Sequence, residues 1–294
     1  MDRQLVKDTV SQFSVLGGKR VKFSGGEPTL YKDLYSLVNH SIERGLNVNI
    51  ITNAQNLLKN SDLVSDPSQV RIRVSLEGRQ PLNDSIRGEG SYEKASHNII
   101  EYKKMGFKSN IKLTLTPDTE QEDIIELAHF TAEHDLGVLQ IGIVLYFGAA
   151  KEESFKFSVN KFEELLEPIP SLVEETGIKI AISDYVPFVP KYKDYYDKAC
   201  KALTRLFVFV DGRVVPCRFL ENINLGNLYD NTIKEIIERD TTFDNVKLSE
   251  KCLNCEFISN CGGGDRYRSL KYEHGLSGSD PACFFCRKGD FLPL

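Results

Sequence analysis

The first 199 residues of this 294-residue chain contain no cysteine, and the whole chain has no tryptophan and only two methionines. Thiolate and disulfide chemistry are thereby excluded from its first two-thirds. Long apolar runs are missing as well. The most apolar stretch, residues 138–150, is too short to span a bilayer and includes Gln140 and two glycines, so it reads as a buried strand. The chain starts Met-Asp-Arg-Gln-Leu-Val-Lys, with neither an apolar signal core nor a small-residue cleavage site. That start predicts a cytoplasmic protein whose thiols stay reduced. A net charge of −5 without a long basic run gives no reason to expect nucleic acid. Neither low-complexity segments nor internal repeats are evident.

What remains is a globular composition, 41% apolar and 27% charged, long enough for one large domain plus a small one. Cys200, Cys217, Cys252, Cys255, Cys261, Cys283 and Cys286 are the entire cysteine complement. Thiols placed for packing would not segregate in this way. Cys252-x2-Cys255-x5-Cys261 is followed by Gly262, Gly263, Gly264 and Asp265, and Cys283-x2-Cys286 adds another pair. Short Cys loops beside a glycine run let several thiolates converge while backbone passes close by. Cys200 and Cys217 flank a strand-turn-strand reading of 206–216 with an Asp211-Gly212 turn. A zinc ribbon would take four of these cysteines and leave the others unassigned. Two four-ligand iron–sulfur clusters need eight ligands, which seven cysteines and Asp265 supply. Ligand count therefore favours iron–sulfur over zinc, and both over inert buried thiols.

Upstream, apolar runs alternate with helical patterns. Strands are expected at 20–24, 47–52, 70–76, 110–116 and 138–145, and helices at 31–44, 92–105, 122–134 and 161–167. Pro168 and Pro170 must break or kink the last helix before 171–175. This alternation predicts parallel strands with helical crossovers, as a barrel or a doubly wound sheet. Extended, Tyr-rich segments replace it near 177–186. The expected organisation is a first domain over 1–185 and a cysteine-rich domain over 186–294.

Parallel α/β folds carry their sites at the C-terminal strand ends. There the first strand delivers Ser24-Gly25-Gly26-Glu27-Pro28, a loop whose glycines admit a ligand to the backbone and whose carboxylate suits an ammonium group. Thr52 and Asn53 follow the second strand; they suit a ligand or a helix cap equally. Ser75 ends the third strand, and Arg87 further on offers a planar fork for a carboxylate or a surface ion pair. Groups suited to an ammonium and to a carboxylate point to an amino-acid-like ligand.

Phe23-Ser-Gly-Gly-Glu-Pro28 resembles the GGEP motif of radical S-adenosylmethionine (SAM) enzymes, which binds the methionyl amino group. Ile51-Thr52-Asn53, Ser75-Leu76-Glu77-Gly78 and Ile86-Arg87-Gly88 resemble the family's later strand-end motifs, whose serine and arginine commonly hold the SAM carboxylate. Tyr146-Phe-Gly-Ala-Ala-Lys151 is similar to a segment near the adenosine. Cys200-x11-Gly212-x4-Cys217, followed by the Cys252 to Asp265 stretch, resembles the SPASM extension with its last cysteine replaced by Asp265. An aspartate ligand occurs in the pyrroloquinoline quinone maturases of this group. The acid that follows the second SPASM cysteine in anaerobic sulfatase maturases is Arg218 here.

The resemblance implies an incomplete (β/α) barrel binding SAM through Gly25, Gly26, Glu27, Pro28, Thr52, Asn53, Ser75 and Arg87. It further implies two auxiliary 4Fe-4S clusters on Cys200, Cys217, Cys252, Cys255, Cys261, Asp265, Cys283 and Cys286. The implied activity is radical modification of a peptide or protein, or alternatively a tetrapyrrole, fed by a one-electron reductant. The family's C-x3-C-x2-C loop, whose cluster cleaves SAM, has no counterpart before Gly25. The expectation is a truncated start, and no reductive SAM cleavage by the chain as given. A degenerate barrel that binds peptide without catalysis and a structural zinc protein are the competing readings.

Overall fold

The computed structural model describes residues 1–58, 63–145, 157–183, 185–197, 205–242, 246–272, 275–286 and 289–294. Cys200 and the 146–151 motif lie outside the described residues. The chain opens with α1 (Arg3–Val15), whose first turn is capped by Asp2 through the Gln4 and Leu5 amides. Then come β1 (Arg20–Phe23), α2 (Leu34–Glu43), β2 (Asn47–Thr52), β3 (Val70–Ser75), α3 (Gln80–Arg87), α4 (Ser91–Lys104) and β4 (Lys108–Leu115). After these follow α5 (Gln121–Glu133), β5 (Val138–Ile143), α6 (Val159–Leu166), α7 (Ile169–Thr176) and β6 (Lys179–Ile182).

The six strands form one sheet in sequential order, every neighbouring pair parallel. Sequential order is what an unrolled barrel requires, so the doubly wound alternative is resolved in favour of an open barrel. The two sheet faces differ because the strands alternate. Val70, Ile72 and Val74 of β3, with Ile111, Leu113 and Leu115 of β4, are fully buried among helix residues such as Ile99, Tyr102 and Leu127. The opposite face carries Arg71, Arg73 and Ser75, and beside them Lys108, Asn110 and Lys112. Helices therefore cover one face, and the other is polar.

Sequence periodicity locates most of this architecture; β6 and α3 are among the additions. β6 pairs with β5 and extends the sheet where extended segments were expected. The helix α3 was not anticipated, because its central buried residue is Asn83 rather than part of an apolar stripe.

The C-terminal part forms β7 (Phe207–Val208), β8 (Arg213–Val215) and β9 (Gly226–Asn227), an antiparallel sheet built on the expected Asp211-Gly212 turn. It continues through α8 (Ile233–Arg239), α9 (Glu250–Leu253), α10 (Ile258–Cys261) and α11 (Arg266–Tyr272). Val214, Leu228, Ile233 and Ile236 make a small second core against Leu5 and Phe13 of α1. The Gln12 side chain also accepts from the Ile233 amide, 2.8 Å away. Among the described residues, no helix is long and apolar enough to cross a membrane.

Candidate functional site

At the end of β1, Gly25 (φ +90°) and Gly26 (φ +38°) occupy the left-handed region, and a Cβ on either would meet nothing within 4 Å. The loop is bare, as a site for close backbone approach requires. Glu27 does something other than wait for an ammonium group. Its Oε1 accepts from the Thr29 amide, the Thr29 hydroxyl and the Thr52 hydroxyl (2.6 Å), and its Oε2 accepts from the Asn53 amide (2.9 Å). The carboxylate thus ties the ends of β1 and β2 together and caps the short turn Pro28–Leu30. Thr52 also accepts from the Ala54 amide, and buried Ala54 sits at φ +53°, a conformation that costs a non-glycine residue energy. Asn98 of α4 pins that turn by donating to the Ala54 carbonyl at 2.7 Å.

At the end of β3, the Ser75 hydroxyl has no hydrogen-bond partner among the described residues and is only partly covered. Arg87, at the last turn of α3, is no loose surface cation. Its Nε and Nη2 both donate to Oε1 of buried Glu77, with Nε at 3.0 Å. Glu77 in turn accepts from the Thr114 amide of β4. Arg87 is therefore aimed by an ion pair anchored to the sheet, while its own side chain stays 28% exposed. Asn83 donates to Ser91, and Asp84 accepts from the Tyr92 and Gly90 amides, so α3 is locked onto α4. The Tyr92 and Gly90 amides together overcome the effect of burial and hold the Asp84 carboxyl below its ordinary value. Gly78 is required here, since a Cβ would lie 2.7 Å from the Asp123 Oδ1.

The cysteine-rich part is organised by a pair that the sequence reading missed. Arg268 donates from Nε and Nη2 to the two oxygens of Asp280 at 2.8 and 2.6 Å, and from Nη1 to the Tyr185 carbonyl. Both side chains are almost wholly buried. Burial would raise the Asp280 carboxyl, but the Arg268 charge and hydrogen bonds outweigh it and hold the carboxyl low. Asp280 also accepts from the Asp265 amide and the Ala282 amide, so it ties together the two Cys loops. Gly264 (φ +81°) must be glycine, because a Cβ would fall 2.3 Å from the Asp280 Cβ. This is the close backbone passage that the glycine run implied. Asp265 is buried, and one of its oxygens accepts from the Arg268 amide, the capping bond of α11.

Cys217, Cys252, Cys255, Cys261, Cys283 and Cys286 are in no disulfide, and each is partly buried. Burial pushes the Cys261 thiol up to about 11, with Asp280 and Cys252 adding to it. Burial, with Cys286 and Cys261 nearby, pushes the Cys283 thiol up to about 12. Cys252, Cys261, Cys283 and Cys286 are thus near enough to feel one another. Among the described residues no three His, Cys, Asp or Glu meet as a single-ion site would require. A cluster makes a looser demand, since each thiolate binds a different iron. The candidate donors are sulfur apart from Asp265, and Phe188 lines one hollow with Cys261, which suits such a cluster.

Two family models match the chain: the radical SAM superfamily over residues 1–131 and the SPASM iron–sulfur cluster-binding domain over residues 200–256. The PqqA peptide cyclase of Bradyrhizobium diazoefficiens is 27% identical over 296 residues, covering 94% of this chain and 76% of the relative. An AdoMet-dependent heme synthase of Oleidesulfovibrio alaskensis is 24% identical over 315 residues, covering 97% and 79%. Among solved structures, Streptococcus suis SuiB bound to S-adenosylmethionine has the same fold, with TM-score 0.78, 20% identity and coverage of 96% of this chain and 70% of that one. Domains of these two kinds bind iron–sulfur clusters. With its bare glycine loop, its anchored arginine and its thiols gathered in one segment, the chain carries a radical SAM domain match over residues 1–131 and a SPASM domain match over residues 200–256.

Proposed function

We propose that the strand ends of residues 1–185 bind S-adenosylmethionine and that residues 186–294 hold two auxiliary 4Fe-4S clusters, in the service of radical modification of a peptide. The observation carrying this reading is the grouping at the strand ends: an open Gly25-Gly26 floor, an unpartnered Ser75 hydroxyl and an arginine oriented by Glu77. Backbone groups of the glycine loop receive the ligand ammonium, with Glu27, Pro28, Thr52 and Asn53 shaping that loop. Ser75 and Arg87 receive the carboxylate. Arg87 uses two of its five donors on Glu77, so it meets a ligand carboxylate with the rest of its fork. SAM and a reduced cluster supply, when bound, one-electron chemistry able to take a hydrogen atom from carbon.

Cys252, Cys255, Cys261 and one of Cys283 or Cys286 hold one cluster. Cys200, Cys217, Asp265 and the remaining cysteine hold the other. Arg268 and Asp280 keep the Cys loops in register. The PqqA peptide cyclases among the relatives favour a peptide substrate.

Calorimetric titration with SAM tests the reading. Arg87→Ala leaves the ligand carboxylate without its cation and weakens binding by about 2–5 kcal/mol. Equal affinity of the wild type and Arg87→Ala contradicts it. Turnover is a separate question, because cleavage needs an iron with an open position and no thiol lies outside the cysteine-rich part of these 294 residues. The 294-residue chain is therefore expected to bind SAM without forming 5′-deoxyadenosine.

A further inference from the structure

The helix-free face of the sheet bears a concentration of positive charge that the SAM site does not use. Register sets Lys22, Asn49, Arg71 and Lys108 in one row across β1 to β4, and Arg20, two residues before Lys22 on β1, shares a hollow with Arg71 and Lys108. Arg73 lies two residues further along β3, and Lys112 stands beside Ser75 at the top. No strand residue on this face is acidic. A polar hollow there is lined by Arg20, Asn49, Arg71 and Lys108, again with no carboxylate. The Nε atoms of both Arg71 and Arg73 are buried and have no hydrogen-bond partner among the described residues.

Leaving a buried guanidinium N–H unpaired is costly, and two in succession on one strand are doubly so. Burial pulls both arginines below their ordinary pKa, with Arg20 adding to it at Arg71 and Arg71 adding to it at Arg73, where Asp197 and Tyr185 oppose it. Asp197 is itself engaged by the Gln140 amide at 3.0 Å, and Asp66 sits near Lys108 at the rim. A protein that builds this arrangement for stability alone would supply counter-ions. One that builds it for a ligand leaves the donors open.

We infer that this face is a carboxylate-binding site, with Arg71 and Arg73 as its core and Arg20 and Lys108 at its mouth, which anchors an acidic substrate below the strand-end site. Successive β-strand residues on one face are about 7 Å apart. A ligand held at Arg73 therefore lies within one such step of Ser75, close to where SAM is proposed to bind. The inference rests on the function proposed above for its purpose, though not for its chemistry. Clustered carboxylates occur on a Glu-rich peptide and on a porphyrin, so both serve as probes.

The experiment measures binding of fluorescent tetraglutamate, tetraglutamine and a tetracarboxylate porphyrin to the wild type, to Arg71→Gln/Arg73→Gln and to Arg71→Lys/Arg73→Lys. The expected result is salt-sensitive binding of at least one acidic probe, none of tetraglutamine, a loss of tenfold or more in the glutamine variant and partial rescue by lysine. Which acidic probe binds identifies the source of the carboxylates. The melting temperature of the unliganded glutamine variant should stay level or rise, because unpaired buried charges have been removed. A melting temperature that falls, with probe binding unchanged, makes the arginines structural and overturns the inference. So does failure of both acidic probes to bind the wild type. SAM affinity measured on the same samples keeps the two readings apart. Loss of carboxylate binding with SAM binding intact bears only on the cationic face, and absent SAM binding with carboxylate binding intact bears only on the strand-end site.

Discussion

The strand-end site and the cysteine-rich site hold their functional groups in opposite ways. At the strand ends nearly every polar group already has a partner: Glu27 fixes β1 to β2, Glu77 fixes Arg87, and Asp84 fixes α3 to α4. Among the described residues, the glycine floor, the Ser75 hydroxyl and the rest of the Arg87 fork are left open. In the cysteine-rich part, by contrast, the buried ion pair of Arg268 and Asp280 carries the bonds, and Cys252, Cys261, Cys283 and Cys286 lie near one another without disulfides. The first site is organised before its ligand arrives. The second brings four of its thiols near one another, and on the proposed reading metal finishes its fold, as in small metal-binding segments.

If that contrast is right, the greatest damage should come from Asp280→Ala. It strands the Arg268 charge in the interior and costs about 3–5 kcal/mol, with the melting transition of the C-terminal part lost before that of the sheet. Transitions that fall together would make the two regions one cooperative unit. Gly264→Ala should follow, at about 1–3 kcal/mol from crowding against Asp280, with iron loading lowered. Ser75→Ala is the smallest change. Its hydroxyl bonds to no described residue, so stability should move by less than about 0.5 kcal/mol while SAM affinity drops. A large loss of stability there would show that Ser75 is part of the scaffold.

Acidity separates the two regions further. The Cys261 and Cys283 thiols have folded-state pKa values above the ordinary value of 9.0. Their contribution to the stability of the metal-free protein is therefore complete below pH 9 and is lost as the pH rises from there toward 11. Binding iron requires thiolates, so cluster assembly must release these protons and should proceed more readily as pH rises from 6 to 8. Denaturation of metal-free protein and anaerobic reconstitution, each followed across pH, measure the two trends.

Much of the first region could be read from the chain because periodicity and turn chemistry agree there. The alternation Val70, Arg71, Ile72, Arg73, Val74 gives the strand and its two faces at once. Strand order could not be read, since it depends on which edges meet, and a βα alternation serves a barrel and a doubly wound sheet alike. The bonding partners of the site residues were also hidden. Glu77 stood in view within a motif, but its bond to Arg87 depends on α3, whose buried face is polar and leaves no helical stripe. Asp280, between a Gly/Ser-rich turn and Pro281, looks like an ordinary loop acid until Arg268 and Gly264 are seen against it. The candidate metal ligands stand out by their spacing, whereas the Arg268–Asp280 framework between them does not.

The central claim is that the thiol-bearing segment is an iron–sulfur centre rather than a zinc knuckle or an inert core. Metal and sulfide content of protein isolated anaerobically from its native host tests this most directly. Two filled four-iron sites predict about eight iron atoms and matching acid-labile sulfide per chain. Stoichiometric zinc with neither iron nor sulfide would contradict the account.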